Sequence, residues 1–226
     1  MNTESADSLE RVELYVQRLE AVHRLIAGVA HEINNPLTSV QGLVALLGGE
    51  VEDEQARQDL KIVGEEVRRA VQIVRGLRAF AGKIGEKPQP CSLGHIVNLV
   101  TDARGYETRA KGIDLLVDTE QNVHLVVAIP ADLHQLVLML LLRAEEAAMR
   151  VLRVEGSPSQ EVRLAVTVAP GAVLLVVDDG GPPPPAAAEP ILRACSLAAA
   201  DLGGSLAVEE APGGGTRVTL TLPAGL

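Results

Sequence analysis

Apolar residues recur along the start of the chain in two interleaved rows. Val12, Leu19, Ile26, Ile33, Val40 and Leu47 stand seven apart, and Val16, His23, Ala30, Leu37 and Val44 form a second row offset by four. Alternating steps of four and three, kept up over five heptads, mark a helix that buries one stripe in a coiled coil or bundle. The pattern predicts a helix from about Ser8 to Leu47, closed by Gly48-Gly49. A second helix is predicted from about Glu54 to Ile84, with Leu60, Val63, Val67, Ala70, Val74, Leu77 and Ala81 along its seam. The short connection makes the two an antiparallel hairpin, and a lone hairpin cannot cover both seams. A second copy of the chain is the expected partner, giving a homodimeric four-helix bundle.

The heptads stop at Gly85-Glu86-Lys87-Pro88-Gln89-Pro90, which places a domain boundary between residues 1–86 and 87–226. Beyond it helices and strands alternate. Helices are predicted at about Leu93 to Ala110, Ala131 to Leu152 and Ile191 to Leu202. Strands are predicted at Asp114 to Val117, Val123 to Ala128, Glu161 to Val168, Ala172 to Val177, Ser205 to Glu209 and Thr216 to Leu222. This order predicts an α+β sandwich, a largely antiparallel sheet packed on helices.

Composition narrows the function classes. Of 226 residues, 47% are hydrophobic but only 1% aromatic, so the core must be aliphatic and there are no stacking platforms for single-stranded nucleic acid. A net charge of −10 argues against nucleic acid and anionic membrane surfaces. The polar, acidic start MNTESADSLERVELY is not a signal peptide, and no apolar run reaches the ~20 residues that span a bilayer. The only cysteines, Cys91 and Cys195, form no disulfide framework. A cytoplasmic location is expected.

Within the first helix lies the stretch AGVAHEINNPL, residues 27–37. His31 falls one position outside the seam, whereas His23 occupies it. A neutral, exposed imidazole is a competent phosphoryl acceptor near pH 7. Glu32 is placed to take a ring proton or orient the ring, and Asn35, one turn on, to position a water or a phosphoryl oxygen. Pro36 removes a helical hydrogen bond and should bend the helix.

HEINNPL, followed by a second heptad helix, resembles the H-box of bacterial two-component sensor histidine kinases. The resemblance implies that His31 carries the phosphoryl group, that Glu32 assists transfer, and that Asn35 contributes to dephosphorylating a response-regulator partner. It extends over the rest of the chain, where the order of elements is similar to the GHKL-like ATPase domain that follows the bundle in that family. Val177-Asp178-Asp179-Gly180 falls at the first glycine box, which makes Asp178 and Gly180 the residual nucleotide-box positions. Gly203-Gly204 and Gly213-Gly214-Gly215-Thr216 match its C-terminal end.

The nucleotide chemistry departs from the family at four places. Met139 and Arg143 stand where the family has asparagines, one of which supports Mg²⁺; a thioether is a poor ligand for that ion and a guanidinium repels it. Pro182 replaces the second glycine of the box, and Glu189 puts a carboxylate where triphosphate charge would sit. Together these predict that ATP and Mg²⁺ are not cofactors of this chain and that DDGG is a tight turn. The leading expectation is a phosphotransfer protein whose His31 exchanges phosphoryl groups with the aspartate of response-regulator receiver domains, charged by an upstream kinase. One alternative is an active ATP-dependent histidine kinase with a divergent pocket. Another is a non-enzymatic response-regulator adaptor, or a phosphatase acting through Asn35.

Overall fold

The computed structural model describes residues 26, 29–30, 32–81, 87–119, 125–152, 160–181, 190–212 and 214–225. They fall into two compact units, Met1–Lys83 and Ile84–Leu226. The heptads expected upstream of Ile26, His23 among them, lie outside the described residues.

The first unit is a pair of helices, α1 (32–50) and α2 (Glu54–Ala81). Pro36 has no N–H to offer the Glu32 carbonyl, yet the helix continues through it. On the next turn Thr38 and Ser39 donate their hydroxyls back to the carbonyls of Asn34 and Asn35, at 2.8 and 3.3 Å. Gly48 and Gly49 stay helical, and the chain leaves α1 just after them. Asp53 starts α2, because its Oδ1 accepts from the Gln55 N–H at 3.1 Å and satisfies one free donor of the first turn.

The two heptad rows meet different fates. Ala30 is buried and Leu37 and Val44 are half-buried, and Gly64 of α2 approaches so closely that a Cβ there would lie 3.2 Å from Val44 Cγ1. Val67, Val71 and Val74 continue the covered stripe of α2. Ile33, Val40 and Leu47 remain 40%, 38% and 45% exposed. Val63 and Leu77, expected in the α2 seam, are exposed as well.

The second unit is an α+β sandwich. A strand not foreseen from the sequence, β1 (Gln89–Ser92), leads into α3 (Leu93–Ala110) and β2 (Ile113–Thr119). Then come β3 (Leu125–Ala128), α4 (Pro130–Leu152), β4 (Gln160–Ala169), β5 (Ala172–Asp179), α5 (Pro190–Asp201), β6 (Ser205–Glu210) and β7 (Thr216–Pro223). β1 pairs only with β3, so Pro90 can sit in a strand that has a free edge. The main sheet has five strands in the order β2-β4-β5-β7-β6. β2 runs parallel to β4, and the other neighbours are antiparallel.

The core is aliphatic apart from Cys91 and Cys195. Val97 and Val100 of α3, and Leu133, Val137, Leu140 and Leu141 of α4, pack with Leu164, Leu175 and Leu220 of the sheet. Each leucine so buried contributes about 1.5–3 kcal/mol relative to exposure. Buried Glu145 of α4 fastens α3: it accepts from Thr108 Oγ1 and Arg104 Nη2 at 2.7 Å each, and from Lys111 Nζ at 3.3 Å. Among the described residues no helix is long and apolar enough to cross a membrane.

Candidate functional site

Two places carry the chemistry expected from the sequence. His31 lies outside the described residues. Its neighbours Glu32 and Asn35 are described, and both are exposed on α1. Three residues apart on a helix, they share a face, and the seam residues Ile33 and Leu37 lie between and beyond them. The carbonyl of Asn35 is engaged by Ser39.

The second place is at the sheet end of α4. β5 alternates strictly: Val173, Leu175 and Val177 point into the core, and continuing in steps of two reaches Asp179, not Asp178. Asp179 is buried and forms an ion pair with Arg143, itself only 3% exposed. The other carboxylate oxygen, Oδ1, accepts from the Gly181 N–H at 2.8 Å. Arg143 Nη2 reaches Thr216 Oγ1 at 3.4 Å, and Thr216 donates to the Gly181 carbonyl at 2.9 Å. A tight turn holds this cluster: Gly215 has φ +96°, and a Cβ there would come within 2.0 Å of the Asp179 carbonyl oxygen. Four elements, α4, β5, the turn after it and β7, thus converge on one buried guanidinium–carboxylate pair.

Asp178 is placed on the opposite face. Its two oxygens accept from Arg217 Nε and Nη2, each at 2.7 Å. In the strand register Arg163, Asp178, Arg217 and Glu209 stand side by side, a ladder of alternating charge across the outer face of the sheet. Hydrogen bonding to Asp178 raises the Arg217 pKa further above its ordinary value. The structure therefore separates Asp178 from Arg143, and Gly180 lies in the turn after the strand. Sequence reasoning missed Asp179, Gly181 and Thr216; the alternation of VLLVVDD was the signal that places Asp179 inward. Pro182 and Glu189 lie outside the described residues.

Met139, one turn before Arg143, lines a cleft of about 580 Å³ between α4 and α5. Asp132 and Gln135 of α4, and Ala194, Ala198 and Asp201 of α5, line it too. Among the described residues its charged groups are both carboxylates, which oppose an anionic ligand. Among the described residues no cluster of His, Cys, Asp and Glu is fit to hold a metal ion. Two groups nearby are held in their neutral forms by burial. Desolvation lowers the pKa of His134, whose ring nitrogens find no hydrogen-bond partner among the described residues. Desolvation also pushes the Cys195 thiol up to about 11.

Comparison with known proteins agrees with both halves. Residues 21–83 match the His Kinase A (phospho-acceptor) domain. Sporulation kinase D of Bacillus subtilis is 36% identical over 89 residues, 39% of this chain and 18% of that protein. Sensor histidine kinase ZraS of Klebsiella oxytoca is 25% identical over 229 residues, 97% of this chain and 50% of that protein. The chain thus spans half or less of the length of these relatives. Among solved structures, the catalytic domain of histidine kinase ThkA matches 61% of this chain and 97% of its own, at 18% identity and TM-score 0.53. ThkA in complex with response regulator protein TrrA matches 96% of this chain and 66% of its own, at 21% identity and TM-score 0.53. The structural likenesses establish the fold: a helical hairpin followed by a histidine-kinase catalytic sandwich. A match to the phospho-acceptor domain, followed by a sandwich of that fold, makes the chain similar to the two-component sensor histidine kinases.

Proposed function

We propose that this chain is a phosphoryl relay in which His31 takes its phosphoryl group from an aspartyl phosphate of a response-regulator receiver domain, not from ATP. The observation that carries the reading is the burial of Arg143 against Asp179. The family has asparagines at this position and at that of Met139, one of which supports Mg²⁺; a guanidinium here brings a fixed positive charge and no lone pair. Met139 offers only a soft thioether to a hard cation, and the cleft beside it presents Asp132 and Asp201 to any phosphate. The residues present do not fit ATP·Mg²⁺, so the chain has no cofactor of its own. The relative solved with a response regulator supports the choice of partner, as does the intact HEINNPL.

In the transfer, a neutral ring nitrogen of His31 attacks the phosphorus. The bond from phosphorus to the aspartate oxygen breaks, a nitrogen–phosphorus bond forms, and the partner's carboxylate leaves. Glu32 balances the positive charge on the ring or accepts its proton, and Asn35 orients a phosphoryl oxygen, or the water in the reverse, hydrolytic direction. The working form is a homodimer. The exposed Ile33, Val40 and Leu47 row supports this, because a second hairpin would cover it.

Incubation with radiolabelled ATP and Mg²⁺ should leave the protein unlabelled. A receiver domain phosphorylated by a small phosphodonor should label it, and His31→Ala should abolish that label. ATP-dependent label on His31 would overturn the reading in favour of an active kinase. Binding of the receiver without transfer would leave an adaptor.

A further inference from the structure

We propose that Arg143 is a built-in ligand: its guanidinium fills, from within the chain, a slot for planar nitrogen donors made by Asp179, Gly181 and Thr216. The slot offers the guanidinium two acceptors. Asp179 Oδ2 takes the Arg143 Nη1 donor, and the Thr216 hydroxyl oxygen lies 3.4 Å from Nη2. The partners of these acceptors hold them in place. The Gly181 N–H fixes Asp179 Oδ1 at 2.8 Å, and the Gly181 carbonyl takes the Thr216 proton at 2.9 Å, which turns the hydroxyl's lone pairs toward the guanidinium. Backbone crowding builds the walls, since a Cβ on Gly181 would meet Ala147 Cβ at 2.7 Å and one on Gly215 would meet the Asp179 carbonyl.

Such a site selects by shape as well as charge. Two coplanar N–H groups on one carbon can reach the carboxylate and the hydroxyl together, as guanidinium, an amidine or an amino-bearing heterocycle can. A round ammonium cannot span both. The aspartate side chain is fully buried, so loss of the guanidinium would take away its positively charged partner at a buried site. The arginine removes that penalty and, by the same contact, keeps an external ring out. This deepens the reading of the sandwich as closed to nucleotide. Its test does not involve phosphoryl transfer, so the two fail separately.

The test is chemical rescue of the full chain. In Arg143→Ala, millimolar guanidinium chloride, far below its denaturing range, should raise Tm to a saturating value. Equal concentrations of tetramethylammonium chloride should not. The wild-type protein should show no rise, and Arg143→Ala combined with Asp179→Asn should lose the effect. Arg143→Asn, which also empties the slot but leaves a polar group, should behave as Arg143→Ala does. If Arg143→Ala does not fold alone, recovery of folded protein on refolding with guanidinium, and not with tetramethylammonium, is the same result. No rescue in either variant, equal rescue by tetramethylammonium, or rescue that survives loss of the Asp179 charge would each overturn the proposal.

Discussion

The helical unit and the sandwich solve the burial problem in opposite ways. In the sandwich Val162, Leu164 and Val166 of β4, Val173, Leu175 and Val177 of β5, and Val218, Leu220 and Leu222 of β7 are all covered, and even the polar slot near α4 is filled by the chain's own Arg143. In the hairpin one heptad row is covered and its twin, Ile33, Val40 and Leu47, is not. A region that closes on itself has no need of a ligand or partner to be stable. A region that leaves an aliphatic stripe bare is built to be completed by another surface. On the proposed reading the difference locates function: exchange with other molecules belongs to the hairpin, and the sandwich is a self-contained body.

The strongest way to break this comparison is to remove core from each side. Leu140 is 1% exposed between α4 and the sheet. Leu140→Ala should cost about 2–5 kcal/mol, through lost transfer energy and the cavity left behind. Urea unfolding of the full chain, followed by circular dichroism, would show the midpoint drop. A loss within about 0.5 kcal/mol would mean that the sandwich core is loosely packed, and the contrast would fail.

How far these features can be read from sequence depends on how local their causes are. The alternation of β4, β5 and β7 is written in neighbouring residues, so those strands fall close to their expected bounds, and α1 ends at residue 50, near the expected Leu47. β1 was missed because Pro88 and Pro90 read as a breaker, while pairing with β3, more than thirty residues away, overrides them. The site was half legible. HEINNPL names its residues outright, and Arg143 stands out as a cation in an apolar helix. Which aspartate Arg143 meets depends on strand phase, and the part played by Thr216 depends on a turn that brings β7 beside β5. Neither is local, so Asp178 and Gly180 stood out as residual box positions while the pairing of Asp179 with Arg143 stayed hidden.

A smaller effect tests the open side of the comparison. Leu47 ends the uncovered row of α1 at 45% exposure. If a second hairpin covers it, Leu47→Ser removes about 1.5–3 kcal/mol of burial from each copy. Since each 1.4 kcal/mol is about a tenfold change, the dimer should dissociate at concentrations at least tenfold higher than the wild type. Sedimentation over a dilution series reads this directly. A wild type that stays monomeric at every concentration, with Leu47→Ser unchanged in stability, would mean that the row is bare in solution.

The smallest expected effect concerns pH and belongs to the closed side. His134 is 2% exposed, and burial holds its folded pKa below the unfolded value of 6.5. Above that value the ring is neutral in both states and its contribution to stability is fully present. As pH falls through 6.5 toward the folded pKa, the unfolded chain binds a proton that the folded chain refuses, so stability is lost. Glu107, whose pKa is lowered by its hydrogen bond from Lys111 and by the charge of Arg104, acts in the same direction at lower pH. His134→Leu removes the ring and keeps similar volume, so its Tm should fall less than that of the wild type between neutrality and about pH 5.5. The other histidines are common to both proteins and cancel in the difference. Equal slopes would mean that His134 takes up its proton as easily folded as unfolded, and that this wall of the sandwich admits water. A shallower slope for the variant would show a closed region that excludes even a proton, the same exclusion that Arg143 applies to larger guests.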